Sequence, residues 1–318
     1  MKESYLITGA TGLIGQHLVN ILLGMDVIVY ATAKNAEEIE RKWPEEVKYN
    51  RVIPVKWNME RSIPKIVPRV DYIIHTAAVI PGKGYSEDEI LKINVMGVNN
   101  IVKFAKKHLI KKLIYLSSAA VYGERLNKNS IPIKEQESRN VDFVELNAYG
   151  LSKRMSEEKL VKLSKKELYC NIIRLFKVYG EGIVPNKQGD VVQNILWQAL
   201  YEKKITINGN AKAIRNFLYV TDAVKIILAL CKEESAHLIY NVGSFSENHT
   251  IYEYANALAR LAGKEVIYDK KISIEGRAQI PDLERLSKLN EMKMITLQEG
   301  VNRMYNMCKG TTNWKSVL

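Results

Sequence analysis

Two residues stand at a spacing that could move a proton. Tyr149 and Lys153 are four apart in Tyr149-Gly150-Leu151-Ser152-Lys153, which puts them on one face of a helix. An ammonium beside a phenol stabilises the phenolate and draws its pKa down from about 10. Such a phenol can exchange a proton with a substrate hydroxyl or carbonyl near neutral pH. Ser117 and Ser118 close an apolar run, and a hydroxyl there could bond the same substrate oxygen. A second group of residues stands almost at the N-terminus, where Thr8-Gly9-Ala10-Thr11-Gly12-Leu13-Ile14-Gly15 follows the apolar run Tyr5-Leu6-Ile7. A glycine-rich turn between a strand and a helix offers free backbone N–H groups to a pyrophosphate. Gly9 suits the tight turn, Gly12 lets the backbone approach phosphate, and Gly15 lets the helix pack on the strand. Each feature has an ordinary explanation by itself. The chain holds 17 Tyr and 47 Lys and Arg, so Tyr–Lys pairs arise by chance. A serine pair at a strand end is often a cap, and three glycines can be a plain loop. Their order along one frame gives them weight.

That frame is an alternation of strands and helices. Tyr5–Thr8, Val27–Ala31, Val52–Val55, Tyr72–His75, Leu113–Ser117 and Cys170–Arg174 read as strands. Leu13 to about Leu23, Ile90–His108 and Tyr149–Leu163 read as helices between them. The pattern predicts an α/β fold with a doubly wound parallel sheet, holding its ligand at the carboxyl ends of the strands. Beyond Tyr179 the signals change. Val191–Tyr201, Val220–Cys231 and Ile251–Ala262 read as helices, the last capped by Thr250. Lys204–Asn208 and Ile239–Val242 read as strands, Gly209-Asn210 as a turn, and the final portion as irregular. The expected organisation is a dinucleotide domain over 1–175 with returning segments at about 213–245. A smaller substrate lobe takes 176–212 and 246–318.

Composition narrows the function classes. With 318 residues and 47% hydrophobic content, the chain can bury a large core. No apolar stretch is long enough to span a bilayer, and the immediate entry into a strand leaves no room for a leader. Three scattered cysteines form neither a metal spacing nor a disulfide framework, so the expected setting is a reducing cytoplasm. The net charge of +12 sits in scattered pairs such as Lys106-Lys107 and Lys203-Lys204, without interleaved aromatics. We read these as solvated helix faces that favour phosphorylated ligands, with no nucleic-acid or membrane partner.

Taken together, the sequence resembles the extended short-chain dehydrogenase/reductases, in their nucleotide-sugar epimerase/dehydratase/reductase group. The resemblance rests on Thr8–Gly15, Asp71–Ala78, Asn94-Val95-Met96-Gly97, Ser117–Gly123, the Tyr149/Lys153 pair and Arg174–Gly180. It extends to Arg215–Asp222 and to Gly276-Arg277 with Pro281-Asp282. It implies a Rossmann-type sheet domain with a C-terminal substrate-binding lobe. It implies catalysis by Ser118, Tyr149 and Lys153. It assigns the cofactor to Gly9, Thr11, Gly12, Leu13, Ile14, Gly15, Thr32, Lys34, Asn58, Met59, Thr76, Ala77, Ala78 and Asn94, together with Tyr149 and Lys153. It assigns a nucleotide-diphosphate sugar to Ser118, Ala119, Lys177, Arg215 and Arg277, the arginines suiting phosphate through their bidentate fork. It also implies a homodimer joined through the helices containing Ile93, Val98, Ile101 and Val102 and Leu151, Met155 and Leu160, although core packing explains those faces equally well.

Four departures from the family pattern matter, the first being Asn58, which stands where the family usually has an Asp that touches adenine and could still bond it. The segment Val29–Asn35 lacks the carboxylate that bonds the ribose hydroxyls of NAD, while Thr32 and Lys34 could accept a 2′-phosphate. NADP is therefore favoured over NAD. Lys177 stands where many relatives have Asn. Ala119-Ala120 replace the acidic pair of the dehydratases, so no acid is placed to expel water. The expected reaction is reduction of a 4-keto sugar, with an NAD-dependent 4-epimerase as the alternative. A non-catalytic dinucleotide sensor on the same fold is the rival from outside enzymology.

Overall fold

The N-terminal apolar runs pair as parallel strands because each is bounded by turn residues and followed by an amphipathic helix that must cross back over the sheet. The computed structural model describes residues 2–127, 132–164, 167–232, 234, 237–268, 278–289 and 293–310, with the backbone alone for 124–127. In chain order, β1 (Glu3–Thr8) leads to α1 (Leu13–Leu23), β2 (Val27–Ala33), α2 (Glu37–Lys42), α3 (Pro44–Lys48), β3 (Val52–Lys56) and β4 (Tyr72–His75). Next come α4 (Glu87–His108), β5 (Lys112–Ser118), α5 (Ala148–Ser164), β6 (Cys170–Leu175) and β7 (Lys177–Tyr179). Then follow α6 (Val191–Tyr201), β8 (Ile205–Ile207), β9 (Ile214–Tyr219), α7 (Val220–Lys232), β10 (Ile239–Val242) and β11 (Asn248–Thr250). The chain ends with α8 (Ile251–Ala262), β12 (Val266–Tyr268), β13 (Ala278–Gln279), α9 (Glu284–Ser287) and α10 (Leu297–Lys309).

Two compact units emerge. The first comprises Met1–Gly123, Val141–Arg174 and Val224–Tyr240. Its sheet runs β3-β2-β1-β4-β5-β6-β10, with parallel pairing of β2 to β3, β1 to β2, β1 to β4 and β4 to β5. The order reverses direction between β1 and β4, which is where doubly wound sheets open a crevice for ligands. The expected sheet fold is thus borne out. Helix α4 begins three residues before its apolar pattern, because Ser86 and Glu89 form a capping box. Ile93, Val98, Ile101, Val102 and Leu160 lie in this unit's own buried core, so they are not an open face for a second copy. Of the other two apolar positions, Met155 is exposed and Leu151 half-buried.

The second unit comprises Glu124–Asn140, Leu175–Ala223 and Asn241–Leu318. Strand β9 pairs antiparallel with β11 and parallel with β7 and β13, while β8 pairs with β12. Helix α8 packs on α6 and α10. Tyr179, Phe217, Tyr219 and Tyr254 form its aromatic core, with Phe217 and Tyr254 stacked at 5.1 Å. The boundaries differ from those expected at the sequence level. Ile133 exchanges backbone hydrogen bonds with Ile280 and Asp282, and Asn241 bonds both Ile133 and Glu135. These contacts assign 124–140 to the second unit. Pairing of β9 with β7, β11 and β13 likewise puts 214–219 there, and the returning segment of the first unit is Val224–Tyr240. The tail expected to be irregular contains α10. Its buried Leu297, Val301, Met304, Tyr305 and Cys308 fall on one helical face, and Thr296 caps it.

Among the described residues no helix is long and apolar enough to cross a membrane. Cys170, Cys231 and Cys308 are buried free thiols, each pushed up to about 12 by burial.

Candidate active site

The glycine turn sits at the switch point and is tied to both neighbouring strands. Ala10 N donates to Thr32 O of β2 at 2.9 Å. On the other side, Thr76 Oγ1 donates to Thr8 O at 2.6 Å and Ala77 N to Thr8 Oγ1 at 3.2 Å. Thr8 Oγ1 also lies 2.7 Å from Nδ1 of His75, whose burial pushes its pKa down to about 3 and keeps it neutral. Gly9 has φ +65°, and a Cβ on it would come within 2.9 Å of Ala77 Cα. A Cβ on Gly15 would stand 2.2 Å from Gly9 O. These two positions seat the turn at Gly9 against Thr76 and Ala77 at the exit of β4, and the first turn of α1 against Gly9 and Ala10. Helices α4, α6 and α8 carry capping boxes. Helix α1 has no side-chain cap and no acidic residue in its first turn. Its first N–H groups and the positive end of its dipole suit a pyrophosphate, so the turn fits a dinucleotide.

The remaining cofactor candidates divide. Thr32 is buried at the end of β2, and the ammonium of the exposed Lys34 bonds the hydroxyl of Tyr85 and lies 4.7 Å from its ring centroid. Asn58 is exposed and its Oδ1 accepts from Glu60 N, while Met59 is buried against Gly97. Asn94 bonds Val79 through N and O and donates to Ser152 Oγ, so its amide ties the β4–α4 loop to α5.

Ser118, Tyr149 and Lys153 converge where β5 ends. Gly150 lets the first turn of α5 approach Ala120, for a Cβ there would meet Ala120 O at 2.6 Å. Ser118 Oγ accepts from Ala120 N at 3.1 Å, and its hydroxyl faces the Tyr149 phenol closely enough to draw that phenol's pKa down. Lys153 is buried, donates to Leu116 O at 2.6 Å, and lies 5.7 Å from the Tyr149 ring centroid. The electrostatics differ from the sequence expectation. Burial pushes the Tyr149 phenol up to about 12, with the Ser118 hydrogen bond pulling it down. Burial also draws Lys153 down to about 7, opposed by the Glu157 carboxylate. One N–H of Lys153 is given to Leu116 O, and in the free chain burial outweighs the expected lowering of the phenol.

The second unit holds the other candidates. Arg215 lines a cavity of about 390 Å³ with Asn194 and Ile195 of α6, Thr206–Asn210 and Ile251. Its guanidinium donates to Ile214 O at 2.8 Å. Lys177 pairs with Asp190, the cap of α6, at 2.7 Å, so its charge is already met. Arg277 lies outside the described residues. Sequence reasoning missed the amides of Asn194, Asn208 and Asn210, which only a long-range fold brings beside Arg215. It also passed over Glu157, although that residue continues the i, i+4 stripe of Tyr149 and Lys153.

A doubly wound sheet with a glycine turn at its switch point and a Tyr–Lys pair after β5 defines an α/β protein built around a dinucleotide. The profile of the NAD dependent epimerase/dehydratase family matches residues 5–243, and the chain belongs to that family. It is 31% identical over 316 residues to a Methanocaldococcus jannaschii protein provisionally named a UDP-glucose 4-epimerase, covering 96% of this chain and 98% of that one. It is 29% identical over 304 residues to the UDP-N-acetyl-alpha-D-glucosaminuronate decarboxylase of Bacillus cytotoxicus, covering 92% of each. In fold it is similar to the UDP-glucuronic acid 4-epimerase of Bacillus cereus, solved with UDP-glucuronic acid and NAD. The TM-score is 0.79 at 23% identity, over 96% of this chain and 99% of that one.

Proposed function

We propose that the chain transfers hydride at C4 of the hexose of a nucleotide-diphosphate sugar, as a 4-epimerase. The meeting of Ser118, Tyr149 and Lys153 at the end of β5 carries the reading. A bound nicotinamide would accept and return the hydride. In the oxidative half, the phenolate of Tyr149 takes the proton of the 4-hydroxyl while Ser118 holds its oxygen. In the reductive half, the phenol returns that proton to the 4-keto oxygen, and inversion follows if the sugar has turned so that the hydride returns to the other face of C4. Ala119 and Ala120 add no second acid, which supports reversible oxidation over elimination of water. The relatives named for epimerases and decarboxylases support the same class.

The second reading is the 4-keto reductase favoured by sequence. One observation supports it: β2 ends in Thr32 and leads to Lys34 held by Tyr85, with no carboxylate for the ribose hydroxyls. One experiment separates the two. The purified chain is denatured in acid and any released nucleotide identified by mass. Retained NAD with interconversion of UDP-glucose and UDP-galactose supports the epimerase. An empty site that prefers NADPH, with reduction of 4-keto-6-deoxy sugar nucleotides, supports the reductase. Failure to bind either dinucleotide overturns both.

For the second unit we propose that Arg215 binds the diphosphate. Arg215→Met is expected to weaken UDP binding by roughly tenfold to a hundredfold, as loss of a charge-assisted hydrogen bond does, without lowering the melting temperature. Titration calorimetry with UDP reads it, and unchanged affinity removes Arg215 from the site.

A further inference from the structure

The face of α5 that presents Tyr149 and Lys153 continues one turn further to Glu157. Consecutive residues at the end of β5 meet this face. Leu116 O accepts from Lys153, Ser117 Oγ donates to Glu157 Oε1 at 2.5 Å, and the Ser118 hydroxyl faces Tyr149. Glu157 is itself clamped from β6. Arg174 Nε donates to its Oε1 at 2.9 Å and a terminal nitrogen to its Oε2 at 2.6 Å, with side chains 1% and 3% exposed. The other terminal nitrogen of Arg174 donates to the Tyr122 hydroxyl at 2.9 Å, in the turn that follows Ser118. Apolar packing replaces a buried ion pair with little or no loss of stability. Stability alone therefore gives no reason for this one beneath a proton-transfer site.

We propose that Glu157, locked by Arg174, is the positioning residue of the site: it fixes the end of β5 and holds the charge on Lys153. This rests on the proton-transfer reading of Tyr149. The groups facing Lys153 are Tyr149 and Glu157 of α5, Tyr115 of β5 with its ring centroid at 4.9 Å, and His75 of β4. His75 is neutral, and burial keeps both phenols protonated. Among the described residues Glu157, one turn further along the same helix face, is then the carboxylate whose field acts on Lys153. Arg174 stands behind it and acts in the opposite sense. Burial favours the neutral amine, and Glu157 opposes that by favouring the ammonium. Without Glu157 the ammonium loses its proton at lower pH, and the phenolate of Tyr149 loses its neighbouring cation in the range where it must work.

The test reads Lys153 directly. Trace acetylation with acetic anhydride across the neutral pH range, followed by peptide mass spectrometry, gives the pH at which the Lys153 amine becomes reactive. Glu157→Gln leaves the Arg174 guanidinium without its carboxylate and can fail to fold. The Glu157→Gln/Arg174→Gln variant removes both charges and keeps two amides able to bond each other. In the folded variant, Lys153 should become reactive about one pH unit lower. Where turnover is measurable, kcat should fall with little change in KM, and its alkaline rise should move to higher pH. A folded double variant whose Lys153 titrates as in the parent chain overturns the proposal and leaves the pair a strut. The labelling needs neither substrate nor dinucleotide. A chain that binds no dinucleotide fails the functional reading separately.

Discussion

Replacing Tyr149 by phenylalanine is expected to lower kcat about a thousandfold while dinucleotide affinity and melting temperature stay close to those of the parent chain. Proton transfer by a positioned side chain contributes roughly a hundredfold to ten-thousandfold. The upper half of that range applies because no neighbour can stand in. Lys153 is committed to Leu116 O, and Ser118 is an aliphatic hydroxyl with no base of its own. Phenylalanine keeps the ring and its packing and removes the one atom that exchanges the proton. The pH dependence follows from the same groups. Burial raises the phenol, so the base form needed for oxidation grows as pH rises, and the oxidative rate should climb through the alkaline range. Single-turnover reduction of the dinucleotide by a sugar nucleotide measures both effects. Turnover that survives the substitution would assign the proton to another group. A protein that sensed dinucleotide without catalysis would behave identically with either residue.

Much of the first unit is legible in the sequence because its signals are local. Tyr72–His75 is a fully buried strand, and Ile90–His108 lies in a helix opened by the capping box of Ser86 and Glu89. Each is set by burial pattern and cap within its own window. The second unit is less legible because its pairing is distant. Ile214–Tyr219 carries a basic and an amide residue among its apolar ones. It becomes a strand because β7, β11 and β13 supply its partners. The 132–140 segment gives no local sign that Asn241 and Ile280 will bond it. The candidate site divides in the same way. The glycine turn and the Tyr149–Lys153 spacing are readable along one turn of chain. The commitment of Lys153 to Leu116 O, the use of Asn94 to bind Val79 and Ser152, and the pairing of Lys177 with Asp190 depend on partners that sequence spacing does not reveal.

Gly15→Ala is expected to destabilise the chain and weaken dinucleotide binding together, and the sign of the first effect decides why Gly15 is there. In an ordinary helix, alanine is favoured over glycine by up to about 1 kcal/mol, so the substitution would raise the melting temperature. Here the added methyl would stand 2.2 Å from Gly9 O and 2.8 Å from Ala10 Cα. Both are backbone atoms, so no side-chain rotation relieves the clash. Either α1 moves away from the turn or the turn opens. Overpacking of this kind costs roughly 1–3 kcal/mol or more, and the melting temperature should fall by several degrees. The displaced turn no longer aims its N–H groups at one point, so affinity for the dinucleotide should fall more than tenfold. Gly12→Ala provides the contrast. Its methyl would meet Gly9 O at 3.3 Å, and beyond its chain neighbours no other described atom lies within 4 Å. That variant should keep its fold and lose affinity through obstruction of the phosphate alone. Thermal melts and dinucleotide titration of the two variants separate helix packing from ligand approach. A more stable Gly15→Ala protein with unchanged affinity would reduce the turn to an ordinary loop.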